Sequence, residues 1–414
     1  MSESISGSKR KNPILRTRLP TLPPAARSRV ALGLTAAAAL GRFELQQCRD
    51  CGMVQYPPRE ACQKCLSVRL SWTRQDDKGE LLAATVLHHS NDLFFRERLP
   101  WRLGLVKLAC GPTVVAHLHS AAPPAPAKLR VAVRLDRAGQ AVLVGLPDKE
   151  NVNMADDRQL REFTCDPKHR KVLVTDGKSA VGQALVKALA AAGAELIWVG
   201  HAEPWKRLPG FDELQKLPQV TAVPLDVTDS KNVREVAAEI GAKVDILVSN
   251  AELHRTHGIA ARQGVETARA EMDVNYFGLL RLAQEFGPAM RARGADGLAS
   301  AVAWVNLLSI YALANFPPHG TFSASKAAAQ SLAQCLRAEM RPAGVRVVNV
   351  FPGPIDDEWN QLLPPPKLAP ASLAAAIVKA LREGVEDLYP GDVAQEWLER
   401  WRDNPKALER ELSS

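Results

Sequence analysis

The chain has 414 residues, which exceeds a single domain of typical size and predicts two to three domains. Hydrophobic residues make up 46% and charged residues 24%, a composition that excludes a chain disordered throughout its length. The formal net charge is +8, but residues 1–30, with seven basic residues and one acidic residue, account for +6 of it. The other residues carry only +2, so the charge does not indicate a nucleic-acid-binding surface on the folded part.

The sequence shows no sign of a membrane segment. No run of about 20 apolar residues is present, and the alanine-rich stretch at 30–40 is too short to span a bilayer. The basic amino-terminal residues lack the apolar core of a signal peptide. Seven cysteines, four of them in two close pairs, are typical of a metal site in a reducing compartment. We therefore expect a cytoplasmic protein.

Composition shifts divide the first 170 residues into four segments. Residues 1–24 predict a flexible basic tail, and residues 25–75 hold a helical pattern at 26–41 followed by the cysteine pairs. Residues 76–147 contain five short β-type patterns that predict a small barrel, at 81–86, 103–108, 113–118, 129–135 and 141–146. The polar stretch at 148–170 predicts an interdomain linker.

Strand-like and helix-like patterns alternate along the rest of the chain. The alternation begins with a strand near 172–175, a helix near 180–192 and a strand near 196–199. It predicts an α/β Rossmann-like parallel sheet, covered by helices, over 171–392. Long helices are expected near 265–293 and 321–340, and a helical tail is expected over 393–414.

Two Cys-x-x-Cys pairs form the strongest single motif of the sequence: Cys48, Cys51, Cys62 and Cys65. Four thiolates complete the tetrahedral shell that Zn²⁺ prefers in structural sites, and they leave no position open for catalysis. A structural zinc site is therefore predicted. An iron site of the rubredoxin type is the alternative, because it uses the same four ligands.

The residues around these cysteines carry a family resemblance. The sequence has Cys-x-x-Cys-Gly, then Tyr-Pro-Pro-Arg at 56–59, then the second pair, and five predicted strands follow. Residues 26–147 thereby resemble the rubredoxin-like zinc ribbon and OB-fold of thiolase-associated proteins. The resemblance implies a non-catalytic partner of a thiolase-type or aldolase-type enzyme that acts on acyl-CoA. Nucleic acid is not the expected ligand, because only 5% of the residues are aromatic.

Residues 171–392 resemble the short-chain dehydrogenase/reductase family, but the cofactor motif is degraded. The family's Thr-Gly-x-x-x-Gly-x-Gly turn runs here from Thr175 to Gly182, and Gly177 lies within it. Asp176 and Ala180 replace two of the three glycines, which allow backbone amides to approach the cofactor pyrophosphate. Asp176 also adds a carboxylate where a dianion would bind.

Other cofactor positions are partly retained. Asp226 keeps the family's adenine-side pattern, and Asn250 remains in the Asn-Asn-Ala-Gly motif, whose final glycine has become Glu252. At the end of the second strand, His201 supplies neither a ribose-binding acid nor an arginine for a 2′-phosphate. Asp357 replaces the threonine that faces the cofactor in the family. Taken together, these changes predict that NAD(P) is not a cofactor of this chain.

The resemblance also identifies the catalytic positions. Asn275, Ser309 and Lys326 occupy the family's Asn, Ser and Lys positions, whereas Phe322 stands where the proton-transferring tyrosine is expected. Phenylalanine has no ionisable hydroxyl, so ordinary carbonyl reduction at this site should be almost eliminated. Tyr311 is the nearest tyrosine in the sequence.

Three functional hypotheses remain open. The leading one is a zinc-containing accessory subunit of a thiolase-type acyl-CoA-processing complex, assembled as a homo- or hetero-oligomer through the dehydrogenase-like domain. The second is an NAD(P)-dependent 3-hydroxyacyl-CoA dehydrogenase with unorthodox proton transfer. The third is a nucleic-acid-binding module built on the ribbon and the barrel.

Overall fold

The computed structural model describes residues 20–25, 27–149, 152–203, 205, 208–261 and 263–413. Most of the predicted basic tail, residues 1–19, lies outside the described residues. None of the described helices is long and apolar enough to cross a membrane. Three folded parts follow one another along the chain: a zinc ribbon, a barrel and a Rossmann-like domain.

The ribbon is a short helix followed by three antiparallel strands. Its elements are α1 (Leu32–Ala39), β1 (Glu44–Cys48), β2 (Val54–Gln55) and β3 (Leu70–Arg74). The sheet order is β2-β1-β3. Strand β1 carries Cys48 at its end, and the tight turn to β2 passes through Gly52, whose φ is +71°. Because only glycine adopts this φ without steric cost, Gly52 allows the first cysteine pair to face one point.

The barrel consists of the five predicted strands and closes in the order β4-β5-β6-β8-β7. Its elements are β4 (Lys78–Leu87), α2 (Leu93–Arg96), β5 (Trp101–Leu108), β6 (Thr113–Leu118), β7 (Ala127–Leu135) and β8 (Ala141–Pro147). Side chains alternate between the interior and the outside, so that Val106, Leu118 and Val131 fill the core. Gly104 faces the same interior, where a Cβ would lie 2.7 Å from a methyl of Leu118.

The segment 152–170, predicted as a linker, packs against the barrel. Two short 3₁₀ turns, Met154–Asp156 and Leu160–Phe163, place three apolar side chains against Phe94 and Trp101. Phe163 is 1% exposed and meets the Trp101 ring edge-on at 5.9 Å between centroids. The few apolar residues of segment 152–170 therefore form part of a core, although their spacing along the sequence has no helical or strand period.

The Rossmann-like domain is a seven-stranded parallel sheet with helices on both faces, as predicted. The order is β11-β10-β9-β12-β13-β14-β15. The strands are β9 (Lys171–Val174), β10 (Leu196–His201), β11 (Val220–Pro224), β12 (Ile246–Ser249), β13 (Ala303–Leu307), β14 (Arg346–Val350) and β15 (Asp387–Leu388). The helices are α3 (Ala180–Ala191), α4 (Pro209–Leu214), α5 (Ser230–Ile240), α6 (Glu266–Met272), α7 (Leu279–Ala292), α8 (Gly320–Met340), α9 (Pro370–Glu383), α10 (Asp392–Asp403) and α11 (Pro405–Glu411).

Each central strand is buried on both faces. On β9, Val172 and Val174 enter the core shared with α3 and α9, while Leu173 enters the core shared with α5, α7 and α8. A strand of this kind reads as a nearly continuous apolar run. Asn306 in β13 and Asn349 in β14 are buried exceptions, and Asn306 donates a hydrogen bond to Asn349 at 2.9 Å. The carboxyl ends of β9, β12 and β13 therefore hold the polar residues of the candidate site.

The amino-terminal module contacts the Rossmann-like domain through backbone carbonyls. The Glu386 amide donates to the carbonyl of Ala39 at 2.8 Å, and the Arg346 guanidinium donates to the carbonyl of Leu135 at 2.8 Å. The Thr164 hydroxyl donates to the carbonyl of Arg382, also at 2.8 Å. These contacts join the ribbon, the barrel and segment 152–170 to the end of the parallel sheet at which its strands begin, away from the catalytic positions.

Candidate functional site

The four cysteines of the ribbon converge on one point. Their sulfur atoms all lie within 4.8 Å of one another, and the Cys48–Cys65 and Cys51–Cys62 pairs are each 3.6 Å apart. A tetrahedral zinc with bonds of about 2.3 Å requires sulfur separations of about 3.8 Å. The cysteines thus have the number, chemistry and spacing of a closed zinc site.

Backbone amides around the cysteines favour the thiolate form. Hydrogen bonds from neighbouring amides lower the pKa of Cys62 to about 6, with the Cys65 amide the largest contributor and the Lys64 amide next. The pKa of Cys48 is also lowered, chiefly by the amide of Cys51. The pKa of Cys65 is instead raised to about 12, because hydrogen bonds with the neighbouring thiols outweigh one from the Ser67 amide that lowers it. Thiolates are the species that bind zinc, so the amides favour the metal-binding form of Cys48 and Cys62.

At the carboxyl end of β9, the cofactor turn is held by Asn250. The Asn250 and Ala251 amides donate to Thr175 Oγ1 at 2.9 and 3.1 Å, and the side-chain amide of Asn250 donates to the carbonyl of Asp176 at 2.6 Å. Gly182 lies so close to the turn that a Cβ would be 1.9 Å from that carbonyl. Three of the predicted cofactor positions, Thr175, Gly182 and Asn250, are therefore brought together.

The carboxylate of Asp176 uses the amides of its own turn. The Lys178 amide donates to Asp176 Oδ1 at 2.9 Å, and Ser179 also donates hydrogen bonds to this carboxylate. Burial raises the pKa of Asp176 above its usual range, which these hydrogen bonds only partly oppose. Ser179 in turn caps α3 by accepting the Gly182 amide at 3.1 Å. Donors that would face a phosphate in a glycine-rich turn thus have internal acceptors here.

The other predicted cofactor positions have structural roles in the described residues. Gly177 packs against β10, where a Cβ would lie 1.9 Å from Val199 Cγ1. Asp226 accepts both the Thr228 amide and the Thr228 hydroxyl, at 2.9 and 2.7 Å. Asp357 caps a short turn by accepting the Trp359 amide at 3.1 Å, and burial raises its pKa.

The catalytic positions converge beside the turn. Helix α8 carries Phe322 and Lys326 on one face, one turn apart, and Ser309 lies two residues after the end of β13, at the start of a 3₁₀ turn. Asn275 lies in a π-helical turn, Asp273–Gly278, between α6 and α7. All four side chains are at least 94% buried. The structure therefore brings together predicted positions that lie up to 51 residues apart in the sequence.

Lys326 is paired with a carboxylate that the family pattern lacks. Its ammonium group lies 2.6 Å from Glu252 Oε2 and donates to the carbonyl of Leu307 at 2.9 Å. Glu252 occupies the position where a glycine is expected, so the ion pair is a direct consequence of that substitution. The charge of Lys326 is neutralised locally rather than facing a ribose or a phenolic hydroxyl.

Phe322 is covered by two histidines that the sequence did not indicate as site residues. The His254 ring stacks on Phe322 with centroids 3.8 Å apart and an interplanar angle of 12°, and His254 also contacts His319. Burial lowers the pKa of His254 to about 3 and of His319 to about 4, so both rings are neutral at pH 7. The two histidines are 65 residues apart and belong to no spacing motif, which is why only the fold reveals them.

The cleft over these residues is narrow. It leaves about 10 Å³ for the centre of a water-sized sphere and is lined by Glu252, His254, Tyr311 and Phe322, with the loop 352–355 as the opposite wall. Small-molecule sites usually enclose about 300 to 1,000 Å³. Ser309 lines the cleft as well, and its hydroxyl accepts the amide of Tyr311 at 3.2 Å.

The parallel sheet and this residue cluster define a short-chain dehydrogenase type of domain, and comparison with known proteins agrees. The family model described as short chain dehydrogenase matches residues 170–366. The ribbon matches the model for a ChsH2 rubredoxin-like zinc ribbon domain over 35–70, and the barrel matches that for a ChsH2 C-terminal OB-fold domain over 72–146. The chain belongs to the short-chain dehydrogenase/reductase family and carries this ribbon and OB-fold at its amino-terminal side.

Individual relatives match the Rossmann-like part. A dehydrogenase/reductase SDR family member 7C of Xenopus tropicalis is 30% identical over 241 residues, 56% of this chain and 73% of that protein. Member 7B of Mus musculus is 32% identical over 190 residues, 44% of this chain and 56% of that protein. This chain spans little more than half the length of the first curated relatives it matches.

Two solved structures show the same fold. A short-chain dehydrogenase of Burkholderia cenocepacia, in complex with NADP, is 33% identical, with 60% of this chain and 99% of that chain covered and a TM-score of 0.54. A second, from Streptomyces avermitilis, is 27% identical, with 59% and 97% covered and a TM-score of 0.51. The prediction that NAD(P) is not a cofactor finds no support in these relatives, because the Burkholderia protein was solved with NADP.

The zinc assignment is tested by exchanging one ligand. We expect the purified chain to hold about one zinc, and Cys62→Ser to lose the metal and to unfold on the order of 10 °C lower, because metal-binding energy contributes to folding. Metal analysis and thermal unfolding measure the two effects. Cys335→Ser removes an exposed cysteine of α8 and is the matched control. Full stability of metal-free protein would contradict the assignment.

Proposed function

We propose that this chain is an accessory subunit of a thiolase-type acyl-CoA-processing complex and reduces no carbonyl by itself. The observation that carries the proposal is the state of the dehydrogenase site. Phe322 replaces the proton donor and is buried under His254, and Lys326 is neutralised by Glu252. The ribbon adds no chemistry, since a four-thiolate zinc site has no open position. Binding a partner protein is then the simplest role that accounts for both parts of the chain.

The outer surface of the barrel supports a docking role. Strand β4 pairs with β5 over most of its length, but β7 pairs only with residues 78–81 of β4. Residues 82–86 are all exposed, and none of the described strands pairs with their other edge. An unpaired edge offers backbone groups to a partner chain, and proteins normally protect such edges.

Apolar side chains extend this surface across neighbouring strands. Leu105 of β5 and Val115 of β6 are register partners, 41% and 57% exposed. Leu82 and Val86 of β4 are 46% and 41% exposed. Contiguous apolar groups on a soluble domain mark a partner surface. Because the ribbon and barrel match ChsH2 domains, which the sequence resemblance connects with thiolase-type enzymes, we assign this surface to such an enzyme.

The partner prediction concerns the full chain. Coexpressed with a thiolase-type enzyme encoded beside it, the chain should coelute at micromolar concentration, with about 1,200 Å² or more of surface buried. The double substitution Leu105→Glu with Val115→Glu should weaken binding at least tenfold, because it places charge in a desolvated contact. Size-exclusion chromatography and titration calorimetry measure the complex.

A control and a contrary outcome complete this experiment. Leu362→Glu changes an 89% exposed leucine of the Rossmann-like domain and should leave the complex intact. If the wild-type chain elutes separately and thiolase activity is the same with and without it, the accessory role is wrong.

For self-association, we propose the helical face that includes α6. Val265 and Phe277 are 52% and 44% exposed and line one groove with Met272. The family resemblance predicts a four-helix contact between two copies in this region. We expect Phe277→Glu to convert an oligomer of this chain into monomers in light scattering, while Ile259→Glu, at a position that is 76% exposed and outside the groove, does not. An unchanged mass for the Phe277 variant would exclude this face.

We also infer that the chain binds NADP(H) weakly, although a 33% identical relative holds NADP. Asp176 occupies amides of the phosphate turn, and Glu252 neutralises Lys326. Wild-type protein should show no micromolar binding by calorimetry and no turnover of 3-oxoacyl-CoA in absorbance assays. Asp176→Gly with Glu252→Gly should raise cofactor affinity at least tenfold, because two carboxylates leave the site. Phe322→Tyr alone should not restore turnover.

A second candidate function is an NAD(P)-dependent 3-hydroxyacyl-CoA dehydrogenase with another proton donor. Tyr311 favours it, because this tyrosine lines the same cleft with its ring 6.4 Å from that of Phe322. Micromolar binding and rapid turnover by the wild-type chain would establish this candidate over the accessory role. Tyr311→Phe should then abolish turnover, while Tyr276→Phe, outside the cleft lining, retains it.

A further inference from the structure

A cavity between the barrel and the Rossmann-like domain is rich in arginine. It lies at the amino ends of β13 and β14, whereas the catalytic positions lie at the carboxyl ends of the strands. The β7–β8 hairpin and segment 161–170 form its other walls. The space open to the centre of a water-sized sphere is about 30 Å³. Six guanidinium groups line it: Arg137, Arg161, Arg170, Arg337, Arg341 and Arg346.

The acidic groups nearby do not balance this charge. Asp136, Glu162 and Glu386 are the carboxylates in the lining, and Arg337 also forms a salt bridge of 2.6 Å with Asp387. Outside the lining, the charge of Asp245 also acts on Arg170. Among the described lining residues, arginines still outnumber carboxylates. Burial lowers the pKa of Arg170 to about 10, and the charge of Arg161 contributes to this shift. Excess positive charge in a partly buried site is stabilised when an anion enters.

Interdomain packing accounts for only some of the donors. Arg137 Nη2 donates to the carbonyl of Gly294 at 2.8 Å, and Arg346 Nη2 donates to that of Leu135 at 2.8 Å. The Nε atoms of Arg137 and Arg161, however, are buried and have no hydrogen-bond partner among the described residues. The Arg137 side chain is only 6% exposed. Buried donors of this kind normally have partners, so these two point to a bound acceptor.

One buried acceptor in the lining is also unused. Asp136 Oδ2 has no partner in the described part of the chain, while Oδ1 accepts the amides of Ala138 and Gln140 at 2.8 and 2.9 Å. A carboxylate repels sulfate, which has no proton to donate near neutral pH. It attracts a protonated phosphate, whose hydroxyl can donate a hydrogen bond.

We propose that this cavity binds a phosphate-class oxyanion. The guanidinium groups of Arg137 and Arg161 donate to its oxygens, and Asp136 accepts its hydroxyl. Arg341 and Gly297 are exposed at the rim, so the cavity opens to solvent there. The ligand joins the hairpin of the barrel to the Rossmann-like domain, because Arg137 and Arg341 come from different parts of the fold. Bound phosphate therefore stabilises the domain contact.

The proposal is tested by calorimetric titration of the full chain with inorganic phosphate at fixed ionic strength. The double substitution Arg161→Gln with Arg341→Gln should raise the phosphate Kd at least tenfold. Arg291→Gln, at an exposed position of α7 outside the cavity lining, is the matched control and should leave Kd unchanged. Asp136→Asn should reduce the preference for phosphate over sulfate.

The source of the phosphate group is distinguished by parallel titrations with pyrophosphate and ADP. Tightest binding of inorganic phosphate indicates the free ion, and tighter binding of ADP indicates a nucleotide whose phosphates enter the cavity. Either result supports the proposal when the double variant no longer shows that binding. The proposal is overturned if phosphate binds no more tightly than chloride at equal ionic strength. It is also overturned if the double variant has a lower Tm but an unchanged phosphate Kd.

Discussion

Burial of the parallel sheet on both faces is the constraint on which the rest of this molecule depends. The central strands β9, β12 and β13 are buried on both sides, because helices cover each face. Apart from Asn306 of β13, which is hydrogen-bonded to Trp304 and Asn349 inside the sheet, the polar side chains of the site lie at strand ends. One end carries the turn after β9 and the family's catalytic positions. The other end carries the amino-terminal module and the arginine-lined cavity. Both faces of the sheet are thus structural, and the two ends of its strands remain available for function.

At the carboxyl ends of the strands, two positions that are glycine in the family carry acids in this chain. Each acid has a hydrogen-bond or ion-pair partner inside the protein. Asp176 accepts amides of its own turn, and Glu252 pairs with Lys326. A buried charge without a partner would cost several kcal/mol, so these internal contacts are what make the substitutions tolerable. The same contacts carry the proposal that this chain binds NADP(H) weakly, because they use backbone amides of the turn and the charge of Lys326.

Features with local spacing could be predicted from the sequence, and features made by distant segments could not. The cysteine pairs, the barrel strands and the alternating elements of the parallel sheet have short periods, and the Asn275, Ser309, Phe322 and Lys326 positions follow a family order. The contact of His254 with His319 arises only when the chain after β12 meets the start of α8. The packing of Phe163 against Trp101 was hidden for a similar reason, because the few apolar residues of this polar stretch have no helical or strand period.

The open edge of β4 has a consequence for how much of this protein a cell can hold unassembled. Residues 82–86 read Leu-Ala-Ala-Thr-Val, with no charge and no proline to discourage strand pairing. Exposed edges of this kind can pair with one another, and cells remove the products through chaperones and proteases. If the proposed partner covers this edge, synthesis of the two chains at matched rates from neighbouring genes would limit such pairing. The strand would then place a demand on gene order and expression level as well as on binding.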